Sequence, residues 1–167
     1  MSSPESIAHL PSGPFSGVQV FAQMVRDALA TAARDGWSTM VWSDPNFLDW
    51  PLRERGVIES LDGWVRSGRR LILLAAQYDD IRRHHPRFVT WRGIWDHRLD
   101  CRISRGIGGE EVPSALWSPQ WSMQRLDVVR CSGIASSDAQ RRASVKEMLD
   151  EFLRQSGPGF SVTTLGL

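Results

Sequence analysis

Asp44 and Asp49 stand just past Trp37-Ser-Thr-Met-Val-Trp-Ser43, a β-rich run that ends at Asp44-Pro45-Asn46. Open α/β sheets usually receive ligands beyond the C-terminal ends of their strands, and two carboxylates there could hold a cation or act as acid and base. Trp50 lies in the same loop and joins them as a candidate ligand-binding residue. Both aspartates also have a plainer use: Asp44 can cap the turn before Pro45, and Asp49 can hold the loop through backbone N–H groups. Further along, His84, His85, His97 and Cys101 carry donor atoms suited to a transition metal, yet their spacing matches no compact zinc motif and neighbouring histidines point apart. No Gly-x4-Gly-Lys-Ser/Thr and no Gly-x-Ser-x-Gly segment occurs, so phosphate-loop and serine-hydrolase chemistry lack their residues. No cofactor, metal or catalytic residue is expected.

The most polarised stretch runs from Ile81 to Arg105, with Arg82, Arg83, Arg87, Arg92, Arg98, Arg102 and Arg105 set against Asp96 and Asp100. Guanidinium groups bind phosphate in a two-pronged fashion and aromatic rings stack on bases, so this stretch, with Phe88, Trp91 and Trp95 interleaved, could form a phosphate-binding surface. Arg87 and Arg92, with His84, His85 and His97, are its candidate contacts. The alternative is that the tryptophans face the core while the arginines form a solvated, partly ion-paired outer face. Eight tryptophans exceed what a small core commonly needs. Trp117 and Trp121 fall beside Pro119 at strand edges and are candidate anchors of a homodimer or protein-partner interface.

Period and punctuation supply the elements that position these residues. Residues 1–15, with Pro4, Pro11 and Pro14, read as an irregular lead-in, and 16–167 as one α/β domain. Ser16 and Gln19 form a capping box that opens a helix over 17–35, closed by Gly36. A second helix carries Val57, Leu61, Trp64 and Val65 inward and stops at Ser67-Gly68; the apolar run 70–76 is then a strand covered on both faces. Strand, helix and strand imply a parallel βαβ unit. His85-Pro86 splits the next helical stretch in two, and Leu99, Cys101 and Ile103 alternate with charged residues as in a half-buried strand. Gly106 to Gly109 mark a hairpin turn, 115–117 and 123–134 read as strands pairing antiparallel around Pro119, and a helix over 138–155 closes the chain.

The chain has 167 residues, 41% apolar and 23% charged, which suits one folded core. Its net charge of +1 creates no global field toward nucleic acid or an anionic membrane. No apolar run reaches the roughly 20 residues of a membrane span, and the start shows neither a basic nor an apolar signal region. A cytoplasmic protein with Cys101 and Cys131 as reduced core thiols, and no membrane contact, is expected.

Trp42-Ser-Asp-Pro-Asn-Phe-Leu-Asp-Trp-Pro-Leu52, the strand Leu71-Ile-Leu-Leu-Ala-Ala76, and His84-His-Pro-Arg-Phe-Val-Thr-Trp-Arg-Gly-Ile-Trp-Asp-His97 with its alternating strand resemble an uncharacterised bacterial family. That family is similar to the phospholipase D-like superfamily, and the resemblance implies a mixed, partly parallel sheet sandwiched by helices. Enzymes of the superfamily resemble one another through a His-x-Lys-x4-Asp motif, in which the imidazole attacks phosphorus and the ammonium holds the phosphate oxygens. Here the sole lysine is Lys146, and Ser144 stands two residues before it. His97 is followed at the second position by Leu99, while His85-Pro86-Arg87 has Arg92 where the carboxylate belongs. The first expectation is therefore a non-catalytic phospholipase D-like domain that binds a partner or ligand. The alternatives are nucleic-acid or phosphate-ligand binding through the 81–105 segment, and an unrecognised hydrolase centred on Asp44 and Asp49.

Overall fold

A computed structural model describes residues 9–161. Eight strands form one mixed sheet: β1 (Gly13–Ser16), β2 (Thr39–Ser43), β3 (Arg70–Ala75), β4 (Leu99–Ile103), β5 (Ser114–Trp117), β6 (Ser122–Asp127), β7 (Ser132–Ser136) and β8 (Gly157–Pro158), in the order β1-β7-β6-β5-β2-β3-β4-β8. Only β2, β3 and β4 run parallel; every other pairing is antiparallel. The helices are α1 (Val18–Asp35), α2 (Arg55–Val65), α3 (Asp79–His84), α4 (Pro86–Ile94) and α5 (Ala139–Arg154), with a 3-10 turn over Asp96–Arg98.

Strand alternation sorts the two faces of the sheet. Met40, Trp42, Leu71, Leu73, Leu116 and Met123 point to one side, where the apolar faces of α1 to α4 cover them. Val41, Ile72, Ala115 and Trp117 point to the other, against Val145, Met148, Leu149 and Leu153 of α5. The result is the expected layered α/β sandwich. α4 starts on Pro86, whose missing N–H costs nothing in a first helical turn. Asp138 caps α5 by accepting a hydrogen bond from the Arg141 N–H at 3.0 Å, and Gly36, at φ +71°, ends α1 in the left-handed region.

The structure departs from the sequence expectations in three places. Residues 13–15 of the expected lead-in belong to β1, which satisfies backbone groups along the edge of β7; residues 1–8 lie outside the described part. Ser16 is thereby drawn into the sheet, and the N-cap of α1 is Gly17, without a side-chain cap. The stretch 123–134 is a hairpin of β6 and β7, not one strand. Its turn has no proline or internal glycine to announce it; the Asp127 carboxylate accepts the Arg130 N–H at 3.0 Å and Cys131 supplies the positive φ of 54°. β8, which pairs with the outer edge of β4, had no signal in the sequence. Cys101 and Cys131 are buried and free, and burial pushes the Cys101 thiol up to about 11. Among the described residues, no helix is long and apolar enough to cross a membrane.

Candidate functional site

Beyond the C-terminal end of β2, the chain turns sharply through 44–54 before entering α2. Asp44 is fully buried and makes that turn: its Oδ2 accepts the N–H groups of Asn46 (3.2 Å) and Phe47 (2.8 Å). Its Oδ1 accepts a 2.7 Å hydrogen bond from Nη2 of Arg125, which reaches across from β6. Arg125 is itself only 1% exposed at the side chain. Its Nε donates to Ser114 Oγ at 2.9 Å, and its Nη1 donates to Asp49 Oδ2 at 2.7 Å and meets Cys131 Sγ at 3.2 Å. The guanidinium also lies 4.2 Å from the Phe21 ring centroid, so one side chain joins α1, β5, β6, the 44–54 loop and the β6–β7 turn. Burial works against the charge of Arg125, but the carboxylates of Asp44 and Asp49 and the Cys131 sulfur more than offset it and raise its pKa.

This arrangement bears directly on the paired-carboxylate candidates. Asp44 and Asp49 do converge, through a shared cation rather than through a ligand. Asp44 accepts from two backbone amides and a guanidinium and is fully buried, which keeps its carboxylate away from acid–base work on water. Asp49 is 38% exposed at its side chain, and among the described residues no protein donor reaches its Oδ1. Among the described residues, no group of three His, Cys, Asp or Glu side chains stands together as a metal site.

Trp50 is a core residue rather than a ligand contact. It packs between Phe47 (centroids 4.9 Å), Trp42 (5.5 Å) and Phe21 (5.8 Å). His85 is buried too, and its Nε2 meets the Phe47 carbonyl at 2.8 Å. Phe47 stands at φ +61°, a conformation that bulky residues avoid, and it is pinned from both sides by Asp44 and His85. With Nε2 carrying the proton toward a carbonyl and Nδ1 without a partner among the described residues, His85 is held neutral. Burial first, then the nearby charges of Arg53 and His84, lower its pKa below the ordinary 6.5, against the hydrogen bond to Phe47. The sign follows: below pH 6.5 the unfolded chain takes up a proton that the folded chain resists, so stability falls as the pH drops through that range. Urea titrations at pH 7.5 and pH 5.5 should give a smaller wild-type midpoint at the lower pH, and His85→Gln should narrow the difference.

Three of the 81–105 arginines, Arg82, Arg92 and Arg102, are spent on the 156–161 segment. Arg92 is buried and committed, paired with Asp96 and donating to the Phe160 carbonyl with its ring-face contact 5.0 Å away. Arg102 donates to Ser156 (Oγ 3.0 Å, carbonyl 2.9 Å), and Arg82 lies over the Phe160 ring. His97 is exposed in the 3-10 turn beside Trp95, and His84 is exposed at the end of α3. Arg87, by contrast, donates from Nη1 to the Arg53 carbonyl at 2.9 Å and, with Arg55, lines an open groove of about 500 Å³ between α2 and α4, floored by Ile58, Trp91 and Ile94. Arg53, Arg55 and Arg87 are exposed, and none is paired with a carboxylate among the described residues. Sequence reasoning missed Arg53 and Arg55 because they lie outside the conspicuous arginine run. It missed Arg125 as well, although a charged residue two positions after Met123, on the buried face of a strand, signals a required partner.

Six of the eight tryptophans are buried, so their number serves the core. Trp121, proposed as an interface anchor, is 2% exposed and donates its indole N–H to the Pro11 carbonyl at 2.9 Å; it is a correction to that expectation. Trp117 is half-buried, bonded to the Arg142 carbonyl at 3.0 Å and covered by the Lys146 ammonium at 5.3 Å. That sole lysine is also paired with Asp150 at 2.6 Å, on the opposite face of the sheet from His85.

No protein-family model and no curated protein matches the chain. Among solved structures it is similar to TrmBL2, described as an archaeal chromatin protein with a novel mode of DNA binding: TM-score 0.66, 12% identity, 93% of this chain covered. This chain spans only 56% of the TrmBL2 chain. It is also similar to NucT from Helicobacter pylori, with TM-score 0.59 and 9% identity over 90% of this chain and 99% of that one. At such identities the likeness establishes architecture and nothing more, and the architecture is the phospholipase D-like α/β fold.

Proposed function

We propose that this domain binds a phosphate-bearing ligand without cleaving it, and that nucleic acid is the ligand class its surface fits best. The observation that carries the reading is that Arg53, Arg55 and Arg87 are exposed and free of acidic partners among the described residues, with Arg87 donating to the Arg53 backbone carbonyl and lining one groove with Arg55. Guanidinium groups left without carboxylates are available to phosphate oxygens, and several on one face track a polyanion. On the α2 wall, which Arg55 shares, Asp62 is already engaged by Arg66 and Trp95, while Glu59, one turn along from Arg55, also lines the groove. The description of TrmBL2 as a DNA-binding protein supports this reading.

Binding without turnover is supported by the side chains: the lone lysine is occupied on α5, and Asp44 is buried in an ion pair. A homodimer, expected from the tryptophan count, then requires a surface other than that around Trp117 and Trp121. A cytoplasmic location and a bacterial origin remain expectations from the sequence.

Fluorescence anisotropy with single- and double-stranded oligonucleotides should show binding that weakens as salt rises. Replacing Arg53 and Arg87 together with alanine should lower the affinity and reduce the slope of log affinity against log salt by roughly 0.9 for each duplex phosphate no longer neutralised. Absence of any salt-sensitive binding by the wild type removes nucleic acid as the ligand. Phosphodiester turnover that disappears on replacing one of the four histidines removes the non-catalytic reading.

A further inference from the structure

The groove between α2 and α4 has a direction. The Arg87 guanidinium donates to the Arg53 carbonyl at 2.9 Å just before α2 begins, and the Trp95 indole N–H donates to Asp62 Oδ1 at 3.1 Å near the ends of both helices. The two helices therefore run side by side in the same sense. Arg55 and Arg87 stand at one mouth of the groove and Asp62 at the other, about 10 Å along at roughly 1.5 Å per helical residue. Both helix dipoles are positive at the arginine mouth, which adds to the guanidinium charge there. Between the mouths the floor is apolar: Ile58 is half-buried, Ile94 is 66% exposed, and Trp91 closes the bottom. Glu59, one turn from Arg55, is exposed on the rim and bonded to no other side chain among the described residues. An open cleft of about 500 Å³ with an apolar floor and a few charged groups has the size and character of a small-ligand site.

We propose that this groove holds a single nucleoside monophosphate unit, free or at the phosphorylated end of a strand, with its phosphate on Arg55 and Arg87 and its base on Ile58 and Ile94. The inference rests on the phosphate-binding reading and narrows it. A run of phosphates does not suit the length of the groove, because Glu59 and Asp62 would meet those beyond the first. One phosphate at the arginine mouth followed by an uncharged body avoids that repulsion. Guanidinium groups grip the phosphate oxygens, and a planar base withdraws Ile94 from water. Glu59, an acceptor without a donor, suits the sugar hydroxyls, of which a ribose offers one more than a deoxyribose. An acyl chain would use the same floor but would leave Glu59 facing methylene groups. Arg53, which lies outside the groove, remains for the neighbouring phosphate of a strand.

Isothermal titration calorimetry of the full chain tests it with adenosine monophosphate, its deoxy form, ribose phosphate and inorganic phosphate. Adenosine monophosphate should bind about tenfold or more tightly than ribose phosphate or inorganic phosphate. Ile94→Ser should erase most of that advantage with unchanged circular dichroism. Glu59→Ala should bring the ribose and deoxyribose forms to equal affinity, and Arg87→Ala should weaken every probe. Displacement of adenosine monophosphate by an end-phosphorylated oligonucleotide, lost on dephosphorylation, assigns the unit to a strand end; binding without such displacement assigns the free nucleotide, and both support the proposal. Adenosine monophosphate held no more tightly than inorganic phosphate overturns it and leaves the phosphate-binding reading standing, as does tighter binding of dodecyl phosphate. Mononucleotides that fail to bind where oligonucleotides do also overturn it alone, whereas failure of both overturns the two readings together.

Discussion

Arg125→Met is expected to destabilise the protein by about 3–5 kcal/mol, read as a lower urea midpoint with an unchanged slope. The magnitude comes from what the substitution leaves behind rather than from the attraction it removes. Asp44 is fully buried, and without Nη2 of Arg125 its carboxylate keeps only the Asn46 and Phe47 amides. An uncompensated buried charge is the costly outcome. The Asp49 arm adds little, because a partly exposed pair of this kind contributes about 0–1 kcal/mol. Asp49→Ala should therefore be mild where Arg125→Met is severe. Combining Arg125→Met with Asp44→Asn should recover part of the loss, since the amide oxygen still accepts the turn N–H groups and no charge is stranded. A loss below about 1 kcal/mol for Arg125→Met would show that the ion pair is not what holds the end of β6 to the loop.

Trp50→Ala is expected to cost a similar amount, about 3–5 kcal/mol, by emptying the space between Phe21, Trp42 and Phe47. It should leave oligonucleotide affinity of the remaining folded protein unchanged, which separates a packing role from the ligand contact its loop position suggests. Trp50→Phe supplies the contrast: among the described residues the indole N–H has no acceptor, so losing it sacrifices none of the hydrogen bonds seen there and only a smaller volume of packing. The phenylalanine variant should melt well above the alanine variant, by roughly 2–4 °C for each kcal/mol between them. Equal melting temperatures would mean that the site collapses around the vacancy.

The two carboxylates illustrate how far local chemistry can be read. That Asp44 would serve a turn before Pro45 was legible, because an aspartate reaches backbone amides two and three residues on. Its partner was not, because Arg125 is 81 residues away in sequence. Trp50, His85 and Arg92 have the residue types of a ligand site, yet packing turned each inward: aromatic contacts for Trp50, the Phe47 carbonyl for His85, and the Asp96–Phe160 corner for Arg92. Arg82, Arg92 and Arg102 of the arginine run are likewise taken up by the 156–161 segment, while Arg53 and Arg55 come from another segment to stand by Arg87.

Element types, the break at His85-Pro86, the tight turn at Gly106 to Gly109 and the missing histidine–lysine pair were all set by residues a few positions apart, where steric and periodic rules act. Strand order, the β1 and β8 edges, the hidden turn before Cys131 and the burial of Arg125 arose only when distant segments met. Which strand edge or charged group receives a given partner depends on the whole packed sheet, and a charge acquires its role from what excludes water around it.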